Sequence, residues 1–349
     1  MTRYLEYELG KIADFIVNDM FQVKPKDTVV ITSDSGSNFD IVDALARAVH
    51  VANGHVVVMQ TPQFKGRVNL VDESIPTELY VNALSEADIW IDANAYDFLY
   101  SNTFERVLAK NKTIRYILLG DLSTDIMAKI YGGYNIAPMI AFCAHLKTII
   151  AAGKQVAIKN AQGTDITFDL EPAHVIAIDS GEATEPGLYT SPALVNIVPR
   201  FGSVNGVVVF DALYDAYPDK IMEEPLRLTI EESRIVAAEG NRYAEKFMQI
   251  LNSWEDDNAC KVAHVNFGLL PTIREMVGHV VVDERVWGVL NWGFGSVSPV
   301  DAPPNGQPSN YHMDAICSNG SVWIDDIQIT ELGEIVHADL KVLSEQFLI

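Results

Sequence analysis

Apolar positions recur at helical spacing over residues 4–20, where Leu5, Leu9, Ile12, Phe15 and Ile16 share one face. Lys24-Pro25-Lys26-Asp27 breaks that pattern, and Thr28-Val29-Val30-Ile31-Thr32 follows as a short β-branched run bounded by polar residues. The reading is a helix, then a strand. Asn38 to Val51 carries the amphipathic pattern of a second helix, and His55 to Met59 reads as a second strand. Val81-Asn82-Ala83-Leu84 leads into Asp88-Ile89-Trp90-Ile91-Asp92, and Phe104 to Ala109 precedes Thr113 to Leu119. Apolar strands alternating with helices predict a parallel sheet covered on both faces.

After about residue 140 the rhythm changes. A helix over Ile140 to Ala152 precedes two short runs, Gln155-Val156-Ala157-Ile158 and Asp165-Ile166-Thr167-Phe168-Asp169, and Asn160-Ala161-Gln162-Gly163 between them is a hairpin signal. Further β-like runs cover Gly206 to Phe210, Leu226 to Ile230, Arg234 to Ala237, Val262 to Phe267 and Val322 to Ile329, with one helix at Asn241 to Leu251. The expected fold class is α/β. A Rossmann-like parallel α/β domain over residues 1–145 is followed by an α+β domain rich in antiparallel strands over residues 146–349, which would carry the chemistry. A chain of 349 residues is long enough for two hydrophobic cores.

Composition narrows the partners. The formal net charge of −22 repels a phosphate backbone or an anionic membrane, so neither nucleic acid nor a membrane is an expected partner. Cys143, Cys260 and Cys317 have neither zinc-finger spacing nor an even disulfide framework, which fits a reducing compartment. The N-terminus places acids among its apolar residues, unlike a signal peptide, and no stretch approaches membrane-spanning length. A cytoplasmic enzyme is the expectation.

Six of the eight histidines read as structural. The segment Ser309-Asn310-Tyr311-His312-Met313-Asp314-Ala315-Ile316-Cys317 is different, because a His-x-Asp pair on a strand puts imidazole and carboxylate on one face. Two such donors and a third from elsewhere would make a facial triad with open positions, an arrangement suited to non-haem iron(II). His264 opens His264-Val265-Asn266-Phe267-Gly268-Leu269, a polar residue on an otherwise apolar strand. A satisfied core histidine explains it equally well, and spacing alone does not bring it to His312.

At these residues the chain resembles the thermophilic metallopeptidase family of aminopeptidases T and S, and more closely its mononuclear relatives, the 2,5-dihydroxypyridine 5,6-dioxygenases. The likeness covers most of the chain, including Thr28 to Val51, Ser85 to Asp92, Glu185-Pro186-Gly187 and His264 through Asp314. It implies that His264, His312 and Asp314 bind one metal, iron(II) first and zinc(II) or another divalent ion otherwise. The two-metal peptidases use further glutamates and a histidine, and no counterpart stands around Pro199-Arg200-Phe201-Gly202 or Leu290-Asn291-Trp292-Gly293.

The same resemblance implies a small hydroxylated aromatic or N-heterocyclic substrate, dioxygen as co-substrate and a homo-oligomer. It calls for a histidine base after the strand ending near Asp92, but Tyr100 occupies that place, and a phenol of pKa near ~10 is a poor base at neutral pH. Tyr100 and Glu185 are the catalytic candidates. Tyr189, Ser296 and Ser298 are the candidate substrate contacts, and Asn266 and Asn291 are polar groups able to accept a ligating histidine's second N–H. Two readings compete with a ring-cleaving dioxygenase. One is a metal-dependent hydrolase that activates water with the same three ligands; the other is a catalytically silent binding protein.

Overall fold

The computed structural model describes residues 5–66, 69–120, 122–213, 221–240, 242 and 244–348. The chain divides into two compact units: the first runs up to Ile136 and takes in Gly181–Pro192, and the second comprises Ala137–Ser180 and Ala193–Ile349.

In the first unit, five parallel strands lie in the order His55–Thr61, Thr28–Asp34, Ile89–Asp92, Arg115–Leu118 and Gly187–Tyr189 among the described residues. The middle strands are buried on both faces, as a covered parallel sheet requires, and are apolar except towards their C-terminal ends. Trp90 is the hub of one core, with Phe98 and Tyr116 edge-on at ring-centre distances of 5.2 and 4.8 Å. The helix Phe39–Val51 buries Ile41, Val42, Ala44, Leu45 and Val49 along one stripe, and Asn38 caps it by accepting the Asp40 N–H. The N-terminal periodicity resolves into a helix at Leu5–Asp14 and a wider π-type turn at Phe15–Met20. Its first residue in the sequence reading, residue 4, lies outside the described residues.

The strand Gly187–Tyr189 is invisible to periodicity, because three residues cannot establish an alternation. Its pairing with Arg115–Leu118 nonetheless completes the parallel sheet.

The second unit holds an antiparallel sheet of thirteen strands among the described residues. The expected hairpin joins Gln155–Lys159 to Asp165–Asp169, and its turn is tied by the Asn160 carboxamide, which accepts the N–H groups of Gln162 and Thr164. The run Val322 to Ile329 is not one strand. Ser321–Ile324 and Ile327–Glu331 are separate, paired strands, because Asp325 adopts a φ of +51° and its carboxylate accepts the N–H groups of Lys154 and Gln155. The helix expected from Asn241 is observed at Ala244–Ser253, Asn241 itself lying outside the described residues. Among the described residues no helix is long and apolar enough to cross a membrane.

At the C-terminal end of its strand, Asp92 is fully buried and accepts the Phe98 N–H at 2.6 Å and the Tyr116 hydroxyl at 2.8 Å. These bonds anchor the loop that leads to Tyr100. Burial, and then the charge of Asp97, raise the Asp92 carboxyl to about 7 despite those donors. The folded pKa lies above the unfolded one, so the contribution of Asp92 to stability is full below about pH 4 and is lost as pH rises through 7. Asp92→Asn should flatten the fall in melting temperature across that window. Parallel melting curves for the two proteins would show that Asp92 titrates as an ordinary carboxylate.

Candidate metal centre

Three neighbouring antiparallel strands, Val262–Gly268, Leu290–Val297 and Gln307–Cys317, build the centre. In their register His264 pairs with Gly293 and Gly293 with Asp314, so the three form one row across the sheet. His312 pairs with Gly295 on the same face. Alternation sends Trp292 and Phe294 to the opposite face, where both meet Phe210 edge-on at 6.3 and 6.0 Å. Those buried rings fix the height of the middle strand.

Gly293 is what lets the outer strands meet. A Cβ at that position would collide with the His264 imidazole, with Nε2 the nearest atom. The ring therefore lies over the bare backbone of the middle strand and reaches the far side. Gly295 serves the same strand differently: its φ is +99°, and a Cβ there would strike the Tyr311 carbonyl oxygen.

The resulting cluster is tight. His264 Nε2 lies 3.2 Å from His312 Nε2, Asp314 Oδ1 is 3.8 Å from His264 Nε2, and Asp314 Oδ2 is 3.6 Å from His312 Nε2. Ligand bonds of about 2.1 Å place donors about 3.0 Å apart at right angles and about 3.4 Å apart at tetrahedral angles, so the spacing suits one cation. Among the described residues this is the one group of His, Cys, Asp and Glu that meets so closely.

The surroundings set the protonation of each donor. His312 Nδ1 is 3.2 Å from the Ser296 carbonyl oxygen, which can only accept, so Nδ1 carries the proton and Nε2 turns its lone pair inward. Burial, and then the neighbouring His312, push His264 down to about 4 against the opposing pull of Asp314. His264 is thus a neutral donor at physiological pH. Asp314 Oδ1 accepts the Asn291 amide at 2.8 Å, and the same amide nitrogen lies 3.4 Å from Glu284 Oε2. Burial raises the Glu284 carboxyl, Arg285 beside it pulls the other way, and Asp314 raises it further.

Asn196, Asn266 and Asn291 form a second row beside the first, and the Oδ1 of each is buried without a hydrogen-bond partner among the described residues. His264 Nδ1 is likewise buried without one. Such atoms mark a polar surface that is completed by something else, such as ordered water or a ligand.

Of the other residues expected from the sequence, Ser296 contributes its carbonyl to His312, while Ser298 Oγ accepts the Val300 N–H and builds the following turn. Tyr100, Glu185 and Tyr189 belong to the first unit. Tyr100 is 47% exposed and has a φ of +62°, a conformation that costs a non-glycine residue energy and recurs at functional positions. Glu185 is exposed, and its carbonyl accepts the Tyr189 hydroxyl at 2.6 Å. Gly293 and Glu284 were missed by sequence reasoning. Gly293 left one trace, a residue without a side chain inside an apolar strand, whereas Glu284 left none.

The comparisons with known proteins follow the same lines. The family model described as NicX, 2,5-dihydroxypyridine 5,6-dioxygenase, matches residues 17–337. No curated protein matches the chain. The structure of 2,5-dihydroxypyridine dioxygenase from Pseudomonas putida KT2440 superposes with a TM-score of 0.80 at 17% identity, covering 96% of this chain and 99% of that one. Wild-type AmpT from Thermus thermophilus gives 0.67 at 16% identity, covering 95% and 99%. At such identities the likeness is one of fold.

In the metal-free protein the His264 ring should titrate near pH 4 by nuclear magnetic resonance. Because its folded pKa lies below the unfolded value of about 6.5, this group costs stability as pH falls through that interval. Gly293→Ala should push the ring off the strand and move its midpoint up towards about 6.5. A parent midpoint already near that value would mean the ring is solvated.

Proposed function

The chain belongs to the 2,5-dihydroxypyridine 5,6-dioxygenase family, and from that premise we propose that it is a mononuclear iron(II)-dependent ring-cleaving dioxygenase. Its substrate is a small hydroxylated N-heterocycle or related aromatic, with dioxygen as the second substrate. The observation that carries this reading is the convergence of His264, His312 and Asp314, two imidazoles and one carboxylate with their donor atoms within 4.8 Å. Two nitrogens and one oxygen suit iron(II) better than the all-oxygen sets of calcium or magnesium or the thiolate-rich sets of structural zinc.

When bound, iron(II) supplies the redox chemistry between dioxygen and the aromatic ring, at positions that three protein ligands leave free. The remaining work falls to side chains. The Ser296 carbonyl holds His312 in the tautomer that donates from Nε2. The Asn291 amide keeps Asp314 turned towards the two histidines. His264, poised to stay neutral above about pH 4, does not compete for a proton in the working range.

Tyr100 and Glu185 are the proposed groups for proton exchange with the substrate. At Tyr100 a phenol donates a hydrogen bond more readily than it removes a proton, so the role of base falls to Glu185 in this proposal. Tyr189 has committed its hydroxyl proton to the Glu185 carbonyl, and it would meet substrate as an acceptor or through its ring. Ser296, near the end of the middle strand, and Ser298, in the turn that follows it, are the proposed contacts. A cytoplasmic homo-oligomer belongs to the same proposal.

A zinc-dependent hydrolase would use the same donors, and the AmpT-like fold keeps that reading in view. Anaerobic reconstitution decides between them, with metal content, oxygen uptake and turnover of hydroxypyridines and amides followed together. Iron-dependent oxygen uptake with a hydroxypyridine is the expected outcome; amide turnover with zinc and no oxygen uptake would replace the oxygenase by the hydrolase. Alanine at His264, His312 or Asp314 should each lower bound iron by at least about tenfold. Full occupancy in all three variants would remove the metal assignment. Tyr100→His should speed turnover of 2,5-dihydroxypyridine relative to other substrates, and an unchanged profile would take Tyr100 out of the site.

A further inference from the structure

The Asn291 side chain is fully buried, and its amide nitrogen stands between two carboxylates. One N–H points to Asp314 Oδ1 at 2.8 Å and the other to Glu284 Oε2 at 3.4 Å. Two acceptors on that side leave the carboxamide one favourable orientation, since a half-turn would set its own oxygen against both of them. The second Glu284 oxygen pairs with the Arg285 guanidinium. Arg285 is itself buried and donates to the Val281 carbonyl at 2.7 Å. The turn that carries both residues is pinned by Asp283, whose carboxylate accepts the N–H groups of Val277 and Gly278 at 2.7 and 2.8 Å. A continuous polar chain therefore runs from rigid backbone through Arg285, Glu284 and Asn291 to Asp314.

From this chain we infer that Glu284, backed by Arg285, is a positioning residue that acts through Asn291 to hold the Asp314 carboxylate ready for a metal ion. The inference rests on the reading of His264, His312 and Asp314 as metal ligands. Its physical content is twofold. Glu284 fixes the rotational sense of the Asn291 amide, and that amide then removes the freedom of Asp314 to turn away from the histidines. Arg285 offsets the charge of Glu284, so the uncompensated negative charge that faces the cation is that of Asp314. In this interior relay the Asn291 nitrogen, both carboxylates and the guanidinium have partners, while the Asn291 oxygen has none among the described residues. Asp314 also acts on Glu284, whose carboxyl it raises, so the two ends of the relay sense each other.

The experiment is a double-mutant cycle on the full chain, read by Co2+ titration with the visible absorption of the bound ion recorded alongside the melting temperature of the metal-free protein. Asn291→Leu keeps the size of the side chain and removes its donor; Glu284→Gln keeps shape and removes charge. Asn291→Leu should weaken Co2+ binding about 10- to 100-fold. Glu284→Gln should weaken it by a smaller factor and alter the Co2+ absorption, and the double variant should bind no more weakly than Asn291→Leu alone. That non-additivity separates action through Asn291 from a general loss of stability.

Additive effects, or a Glu284→Gln protein with the parent's affinity and spectrum, would overturn the inference. If Asn291→Leu fails to fold, the Glu284→Gln comparison alone decides in the same way. A parent chain that takes up no Co2+ overturns both this inference and the metal reading on which it rests. The expected cycle in a protein whose iron-loaded form consumes no oxygen leaves the positioning role in place and removes the oxygenase.

Discussion

Strands separated by one other strand in a sheet lie about 9.5 Å apart, too far for short side chains to share an ion across the intervening one. His264 and Asp314 are separated in this way by the strand Leu290–Val297. Their meeting depends on the middle strand presenting no side chain between them, and Gly293 provides that. Everything else at the centre follows from the vacancy. The imidazole occupies it, the donor atoms come within reach of one another, and the opposite face of the same strand is free to be aromatic. The ring packing of Trp292 and Phe294 below is thus the counterpart of the openness above.

Burial gives the row its electrical character. A solvated imidazole would be half protonated near pH ~6.5, whereas the His264 ring is held neutral by removal from water and then by its neighbour His312. The carboxylates behave in the reverse sense, since Glu284 and, in the other unit, Asp92 are both raised by burial. In each case donors are already aimed at the acid: an amide and a guanidinium at Glu284, a backbone N–H and a phenol at Asp92. Buried acids are retained here at cost, and they sit where the backbone must keep one conformation. One lies behind a carboxylate of the triad and the other beneath the loop of Tyr100.

Local periodicity carried the sequence reading as far as local structure goes. Many of the longer helices and strands announced themselves, although the strands Leu194–Ile197 and Leu290–Val297 and the helices Thr124–Tyr131 and Ala338–Ser344 did not, and the alternation in the first half implied a parallel sheet, which is present. That His312 and Asp314 share a face follows from a period of two. His264 was beyond the reach of such arguments, because pairing across 48 residues is a matter of register, and register is written in no single segment; the family resemblance supplied it. Gly293 was ambiguous for a physical reason, since a glycine in a strand signals a bulge, a bend or a close approach alike. The split at Asp325 was hidden because the apolar run continues through it, and what breaks the strand is a turn conformation locked by distant backbone donors. Glu284 reaches the centre only through the turn that follows Val280–Asp283, which no pattern of apolar residues encodes.

The short strand Gly187–Tyr189 has a consequence for how the molecule is made. It forms the edge of a sheet whose other strands end at Leu118, so a long stretch of chain belonging to the second unit is synthesised before that sheet can be finished. During translation the parallel sheet would stand with one side unsealed while Ala137–Ser180 emerges. Closing it requires a contact of high sequence separation, which is slow to form and leaves an unpaired strand edge open to other chains in the meantime. The order of assembly is thereby imposed by connectivity: the parallel sheet can close only after Ala137–Ser180 has been made, and most strands of the second unit follow it in Ala193–Ile349.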